Sequence, residues 1–178
     1  GEVVKKGAEV PNVKVGMRVS AEGHIICGHC QFCRTGRGHI CQEVKIIGVD
    51  CDGCFAEYLA MPYENLWPVP DEISDRHAAI FDPLGNAMHT VTAFPAAGKS
   101  VLVMGAGPIG LFAVPMLKAV GATLVIVVEP NAAKRELAKK VKADLVIDPV
   151  NEDVLKIIHE NTGGLGVEIL LEMSGNAK

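Results

Sequence analysis

Aromatic side chains are scarce in this sequence: one Trp, two Tyr and five Phe, 4% of the residues. A core built on ring packing is excluded. It has to come from Val, Ile, Leu and Ala, the composition of a buried parallel sheet. An excess of positive charge is also missing, because 17 Lys and Arg face 21 Asp and Glu. That argues against a general nucleic-acid binder, which needs a basic face for the phosphates. No apolar run approaches the roughly 18 residues of a membrane span, so no membrane partner is expected. No basic and apolar leader opens the chain. It has no starting Met, and Gly1-Glu2-Val3-Val4 reads as the middle of a strand; the N-terminus is expected to be a cut. Internal repeats and low-complexity segments are absent as well. What remains is 49% hydrophobic and 21% charged, a folding composition rather than a disordered one. The 178 residues suffice for one good core or for parts of two domains.

Six cysteines would suit a disulfide framework, but four of them lie between residues 27 and 41. Cys27, Cys30, Cys33 and Cys41 read C-x2-C-x2-C-x7-C. Four thiolates fill the tetrahedral shell that zinc prefers, so the pattern predicts a closed, structural ion with no position left for substrate. Gly28, Gly36 and Gly38 supply backbone freedom for so tight a loop, and Arg34 and Arg37 are expected to offset thiolate charge. Reduced core cysteines, disulfides and a nucleic-acid zinc ribbon are the competing readings. Cysteines two apart bridge poorly, a polar loop is no core, and the surroundings are neither basic nor aromatic. Cys51 and Cys54 form another C-x2-C pair with no second pair to complete a site, and are read as single thiols. His24, His29 and His39 are read as loop or surface residues. Metal-binding thiols in an α/β enzyme point to a reducing compartment, hence the cytoplasm.

Residues 1–70 alternate apolar and polar with frequent Gly and Pro, as short strands of an irregular β domain do. Strands are expected at Glu2–Val4, Val13–Val19, Ile46–Val49 and Phe55–Leu59. Residues 71–97 read as a helical connection: a short helix capped by Ser74 and ending near Pro83, then a second from Gly85 to Phe94. From residue 98 to 178 strands and helices alternate, which predicts a doubly wound parallel sheet. Strands are placed at Ser100–Met104, Leu124–Val128, Leu145–Ile147 and Val167–Glu172. A dinucleotide fold needs about six strands, so the C-terminus is also expected to be a cut.

Gly105-Ala106-Gly107-Pro108-Ile109-Gly110 is G-x-G-x-x-G, placed between a predicted strand and a predicted helix. The first Gly makes the turn, the second lets a pyrophosphate approach, and the third packs helix on strand. The helix N-terminus then offers free N–H groups, and Pro108 at its first turn loses little. Glu129 sits at the end of the next strand, where a carboxylate binds ribose hydroxyls and repels a 2′-phosphate. NAD is therefore expected over NADP, although Lys134 and Arg135 follow and could meet a phosphate.

These motifs, in this order, resemble the zinc-dependent medium-chain alcohol dehydrogenases. The resemblance covers essentially the whole chain. It rests further on Gly23-His24-Ile25-Ile26-Cys27-Gly28-His29-Cys30, on Gly53-Cys54-Phe55-Ala56-Glu57-Tyr58 and on the segment from Ile80 to Thr90. It implies part of a GroES-like β domain with a zinc lobe, followed by the first part of a Rossmann sheet. It implies a structural zinc on Cys27, Cys30, Cys33 and Cys41, and NAD contacts at Gly105, Gly107, Pro108, Ile109, Gly110, Glu129 and Lys134. The family commonly has Arg at the last position. It implies a proton-relay role for Asp82 near a catalytic zinc, a residue that otherwise reads as a helix-end acid before Pro83. The ligands of that catalytic zinc, a Cys and a His-Glu pair, are expected upstream of Gly1, so the intact enzyme alone would hold this ion. Within the family, the branch acting on L-threonine matches best. The implied reaction is oxidation of its secondary hydroxyl to 2-amino-3-oxobutanoate by a homotetramer. A polyol dehydrogenase, and a zinc- and nucleotide-binding piece without catalysis, are the alternatives.

Overall fold

The computed structural model describes residues 1–176; the last two residues of the expected 98–178 domain lie outside them. The chain divides into two units, Gly1–Asp82 and Pro83–Lys178. The division falls inside the segment expected as a helical connection.

The first unit is built from very short elements. Strand β1 (Val19–Ala21) pairs antiparallel with β4 (Leu66–Pro68), and β2 (His24–Ile25) with β3 (Lys45–Ile46). Helix α1 (Gln31–Arg34) and a 3-10 turn at Gly38–Ile40 lie between β2 and β3. A second 3-10 turn, Tyr63–Asn65, precedes β4, and α2 (Asp75–Ala78) follows it with Ser74 as its N-cap. Few side chains are buried here: Val3, Val13, Cys41, Asn65 and Val69. Polar ties replace the missing core. The buried Asn65 amide donates to the carbonyls of Glu22 (2.8 Å) and His24 (2.9 Å), joining the β1–β2 corner to the turn before β4. Arg18 donates to the Ile73 carbonyl and the Asp75 carboxylate, both at 2.7 Å, and so holds the start of α2.

Several expected strands are absent. Glu2 makes a single bridge to Arg18. The 13–19 stretch turns at Gly16, whose φ is +85°, and becomes a strand only at Val19. The strand near Ile46–Val49 ends at Ile46, Ile47 adding a single bridge to Cys51, and the Asp50 carboxylate accepts from the Ile46 N–H at 2.8 Å as the chain turns. Phe55–Leu59 forms no strand, and Phe55 and Tyr58 are exposed. Its composition is that of a strand, but no strand of the described residues pairs with it.

The second unit is regular. Parallel strands β5 (Ser100–Met104), β6 (Leu124–Val128), β7 (Leu145–Ile147) and β8 (Ile169–Glu172) stand in the order β7-β6-β5-β8. Helix α3 (Phe81–Thr92) runs through Pro83, which does not end it as expected. Pro83 lies in the first turn, where a helix has no bond for the missing N–H to make. Helices α4 (Pro108–Ala119), α5 (Ala132–Lys140) and α6 (Val154–Asn161) connect the strands. Asn131 and Asp153 cap α5 and α6.

Alternate residues of β5 and β6 face opposite layers. Val101, Val103, Val125 and Val127 pack with Ala87 and Val91 of α3, Ala113, Val114 and Leu117 of α4, and Ala138 of α5. Leu102, Ile126 and Val128 pack with Ile147 and with Ile158 of α6 on the other face. Aliphatic residues thus fill both faces, as the shortage of aromatics requires. The chain winds outward from β5 to β7, then crosses back to β8 on the far side of β5. The strand order therefore reverses at β5, where the glycine turn follows, and open α/β sheets place ligands at such a reversal. Among the described residues no helix is long and apolar enough to cross a membrane.

Leu117 is fully buried in this core, whereas Leu155 on α6 is 71% exposed. Leu117→Ala is expected to cost about 2–5 kcal/mol in urea unfolding. Leu155→Ala should stay within about 0.5 kcal/mol.

Candidate functional site

The four lobe cysteines converge. All four Sγ atoms lie within 4.8 Å of one another. Individual separations are 3.5 Å for Cys30–Cys33, 3.9 Å for Cys27–Cys33 and 4.0 Å for Cys30–Cys41. A tetrahedral ion with Zn–S bonds of about 2.3 Å has ligand edges of about 3.8 Å, so the thiols fit a zinc ion as they stand. None of them is in a disulfide. The geometry follows from the local chain. Cys30 is the N-cap of α1, which sends Cys33 back beside it. Gly28 and Gly36 take φ of +75° and +73°. Gly38 serves differently from expectation: its φ is ordinary, and a Cβ there would meet the Ile26 side chain at 2.9 Å.

Backbone N–H groups, rather than arginines, face the sulfurs. Cys30 N–H donates to Cys27 Sγ (3.4 Å), Cys33 N–H to Cys30 Sγ (3.5 Å), Cys27 N–H to Cys41 Sγ (3.4 Å) and Glu43 N–H to Cys41 Sγ (3.3 Å). The Cys33 N–H holds the Cys30 thiol down to about 6. The Cys27 N–H, acting first among several bonds, lowers Cys41. Burial pushes Cys33 up to about 12, helped by its thiol neighbours. Cys30 and Cys41 are thus disposed to be thiolates, whereas Cys33 needs a cation beside it before it loses its proton. Arg37, expected to supply charge, instead lies over the Phe32 ring at 5.2 Å and donates to Thr35.

Of the nearby histidines, His24 pairs with Glu22. His29 was read as a surface residue, and it is exposed, but it also joins a second metal-capable group with Cys27 and Glu43. Cys51 and Cys54 are exposed and belong to neither group.

In the second unit the glycine turn closes as its spacing requires. Gly105 has φ +97°, and a Cβ there would lie 2.7 Å from Ser174 Cα. A Cβ on Gly110 would lie 2.1 Å from the Gly105 carbonyl oxygen. Gly107 differs: a Cβ would meet nothing within 4 Å, so its outer side is open to a ligand. Gly107 is the N-cap of α4 and offers no side chain to the free amides. Pro108 and Ile109 form the first turn of that helix, Pro108 exposed and Ile109 packed against the core.

Glu129 stands at the end of β6 beside this turn, 5% exposed. Its Oε2 accepts from the Ala106 N–H (2.8 Å) and its Oε1 from the Asn131 N–H (2.9 Å). The carboxylate therefore braces the turn as well as marking the strand end, a role its spacing did not reveal. Each oxygen keeps a second acceptor position. Arg135 is committed elsewhere. It donates to the carbonyls of Glu129 (3.0 Å) and Pro130 (2.6 Å), and its Nη2 pairs with Asp148 at 2.8 Å. Asn151, the Val150 N–H and the Arg135 charge hold Asp148 below the usual carboxylate range. Lys134 is exposed in the first turn of α5. Asp82 is exposed in the first turn of α3 and belongs to neither metal-capable group found among the described residues.

Residues 1–71 match the alcohol dehydrogenase GroES-like domain, and residues 108–178 match the zinc-binding dehydrogenase domain. The chain is 52% identical over all 178 residues to the L-threonine 3-dehydrogenase of Pyrococcus horikoshii. The chain belongs to the zinc-dependent medium-chain alcohol dehydrogenases. It spans about half the length of the curated relatives it matches, 51% in that case. An alcohol dehydrogenase of Escherichia coli CFT073 solved with NADH superposes with a TM-score of 0.91 at 31% identity, covering 99% of this chain and 52% of that one. A protein of Sinorhizobium meliloti 1021 described as a zinc-binding dehydrogenase bound to NADP gives 0.88 at 34% identity, covering 99% and 53%. These two similar structures were solved with different nicotinamide dinucleotides.

The glycines separate folding from binding. Gly110→Ala forces the Gly105 carbonyl away and is expected to cost about 1–3 kcal/mol, read as a lower thermal midpoint. Gly107→Ala, at an extended N-cap with free space, should leave that midpoint unchanged within about 1 °C.

Proposed function

We propose that this chain is part of a zinc- and NAD-dependent dehydrogenase that oxidises the secondary hydroxyl of L-threonine to 2-amino-3-oxobutanoate. The observation that carries the reading is 52% identity, along the entire chain, to an L-threonine 3-dehydrogenase. Cys27, Cys30, Cys33 and Cys41 would hold the structural zinc that fixes the lobe. When bound, a catalytic zinc would lend Lewis acidity to the substrate hydroxyl and NAD⁺ would accept the hydride. The catalytic ion takes its ligands from the part of the relatives' length that this chain does not span. Asp82 acts here in relaying the hydroxyl proton. The N–H groups of Gly107, Ile109 and Gly110 would receive the pyrophosphate, Pro108 having none to give, and Ile109 and Lys134 would line its approach. Glu129 would accept from the adenosine ribose at the second position of each oxygen. Its charge disfavours a 2′-phosphate, and Arg135, bound to two carbonyls and Asp148, is not free to compensate. On this reading the 178 residues bind one zinc and a dinucleotide but do not turn over alone. The intact enzyme is a cytoplasmic homotetramer.

Calorimetric titration should give NAD⁺ an affinity at least about tenfold above NADP⁺, or about 1.4 kcal/mol, with NAD⁺ binding weakened in Gly107→Ala. Equal affinities would overturn the assignment of Glu129.

The substrate is tested with protein extended to the relatives' full length. NADH formation at 340 nm should require L-threonine, and elemental analysis should find two zinc ions per subunit against one in the 178-residue chain. Turnover of polyols without threonine would make it a polyol dehydrogenase. Turnover of threonine by the 178 residues alone would overturn the placement of the catalytic ligands.

A further inference from the structure

Two sets of metal-capable side chains share one sulfur. The inner set is the four lobe cysteines, and the outer set is Cys27, His29 and Glu43. The sets differ in access. In the inner set Cys41 is buried and the other three are half-buried, whereas the His29 and Glu43 side chains are 73% and 66% exposed.

The outer set carries two marks of a metal ligand pair. His29 Nδ1 lies 2.9 Å from the Cys27 carbonyl. A carbonyl only accepts, so Nδ1 donates, and the nitrogen left to meet an ion is Nε2. Histidines that bind metals are commonly fixed in this way, one nitrogen donating to a carbonyl and the other turned to the ion. That Nε2 faces Glu43 Oε1 at 3.7 Å. The separation is too wide for a hydrogen bond. It is close to the span of two ligands on one zinc at bonds of about 2.0–2.2 Å. The carboxylate is placed by the lobe itself, since the Glu43 N–H donates to Cys41 Sγ.

We propose that Cys27, His29 and Glu43 form an outer zinc site through which the ion enters and leaves the four-cysteine lobe. The inference rests on the lobe binding zinc, as proposed above. A hydrated Zn²⁺ is first held by Glu43 Oε1, His29 Nε2 and Cys27 Sγ, losing water. Cys30, Cys33 and Cys41 then replace the last water, the imidazole and the carboxylate one at a time. Any of the four sulfurs still protonated when it binds releases its proton to solvent. Cys27 stays on the ion throughout, so the metal is never without a protein ligand. Release runs through the same steps in reverse.

The test uses the zinc-loaded 178-residue chain and its His29→Ala and Glu43→Gln variants, both altered at exposed positions. Zinc release to excess chelator and uptake by the stripped chain are followed by a chromogenic zinc indicator. Cobalt substitution reports the ligand set. Each variant should release and take up zinc about tenfold more slowly, the lower end of what outer partners of a metal site contribute. Both rates should fall by the same factor, leaving affinity, stoichiometry and the tetrathiolate cobalt spectrum unchanged. Rates equal to wild type would overturn the proposal. So would faster release with lower affinity, which would make the pair a structural support, or an altered cobalt spectrum, which would place His29 in the final shell. If the unaltered chain binds no zinc, it is the lobe assignment that fails.

Discussion

The backbone crossing at the glycine turn is the constraint on which the second unit depends. Gly110 lies so near the Gly105 carbonyl that no Cβ fits between them. Gly105 in turn lies against the chain at Met173 and Ser174, just past β8. These contacts set how α4 leaves β5 and how closely β8 lies alongside. Once α4 is seated, Ala113, Val114 and Leu117 meet the valines of β5 and β6. The amides at the start of α4 remain unused at the point where the strand order reverses. A site for an anionic ligand is thus a by-product of close packing.

The first unit obeys a different constraint. It buries too few side chains to define its loops by apolar packing, so donors and acceptors define them. Asn65 and Arg18 each fasten two segments through carbonyls. The lobe is fastened by sulfur, with four N–H groups turned toward the thiols. Such an array is costly without an ion, because amide dipoles can compensate thiolate charge only in part. Burial keeps Cys33 a thiol until a cation arrives. A lobe built in this way has its stability coupled to metal uptake.

What the sequence disclosed was whatever spacing alone dictates. C-x2-C-x2-C-x7-C and G-x-G-x-x-G each demand a single local geometry, and Glu129 lies at a fixed offset from the second. The sheet was legible too, since runs such as Leu124–Val128 can be buried only on both faces. The failures depend on partners that spacing does not name. Phe55–Leu59 has strand composition, but a strand exists only where another edge accepts it. Pro83 was read as a stop because the helix start, two residues earlier, could not be located. Arg37 was assigned to the thiolates by proximity in sequence, and the Phe32 ring took it instead. Glu43 lies outside the cysteine pattern, although its position gives a signal: it follows Cys41 by two residues, as His29 follows Cys27.

Glu129 shows that a residue expected at a ligand can also hold the chain that surrounds it. The usual account makes this carboxylate a reader of the ribose, which suggests an exposed group waiting for its ligand. Here it is nearly buried and already accepts from Ala106 and Asn131. These bonds tie the strand-end acid to the glycine turn and to the cap of α5, so its orientation is set before any ligand arrives. On the proposed reading a ribose hydroxyl would meet a fixed acceptor, with no ordering cost for the side chain. Rotating the carboxylate away to admit a 2′-phosphate would leave the buried Ala106 amide and the part-buried Asn131 bond without an acceptor, a larger penalty than moving an exposed acid. Cofactor choice and turn geometry would then be one device. A change that relaxed the choice would be expected to loosen the turn, unless a new acceptor took over the Ala106 and Asn131 amides.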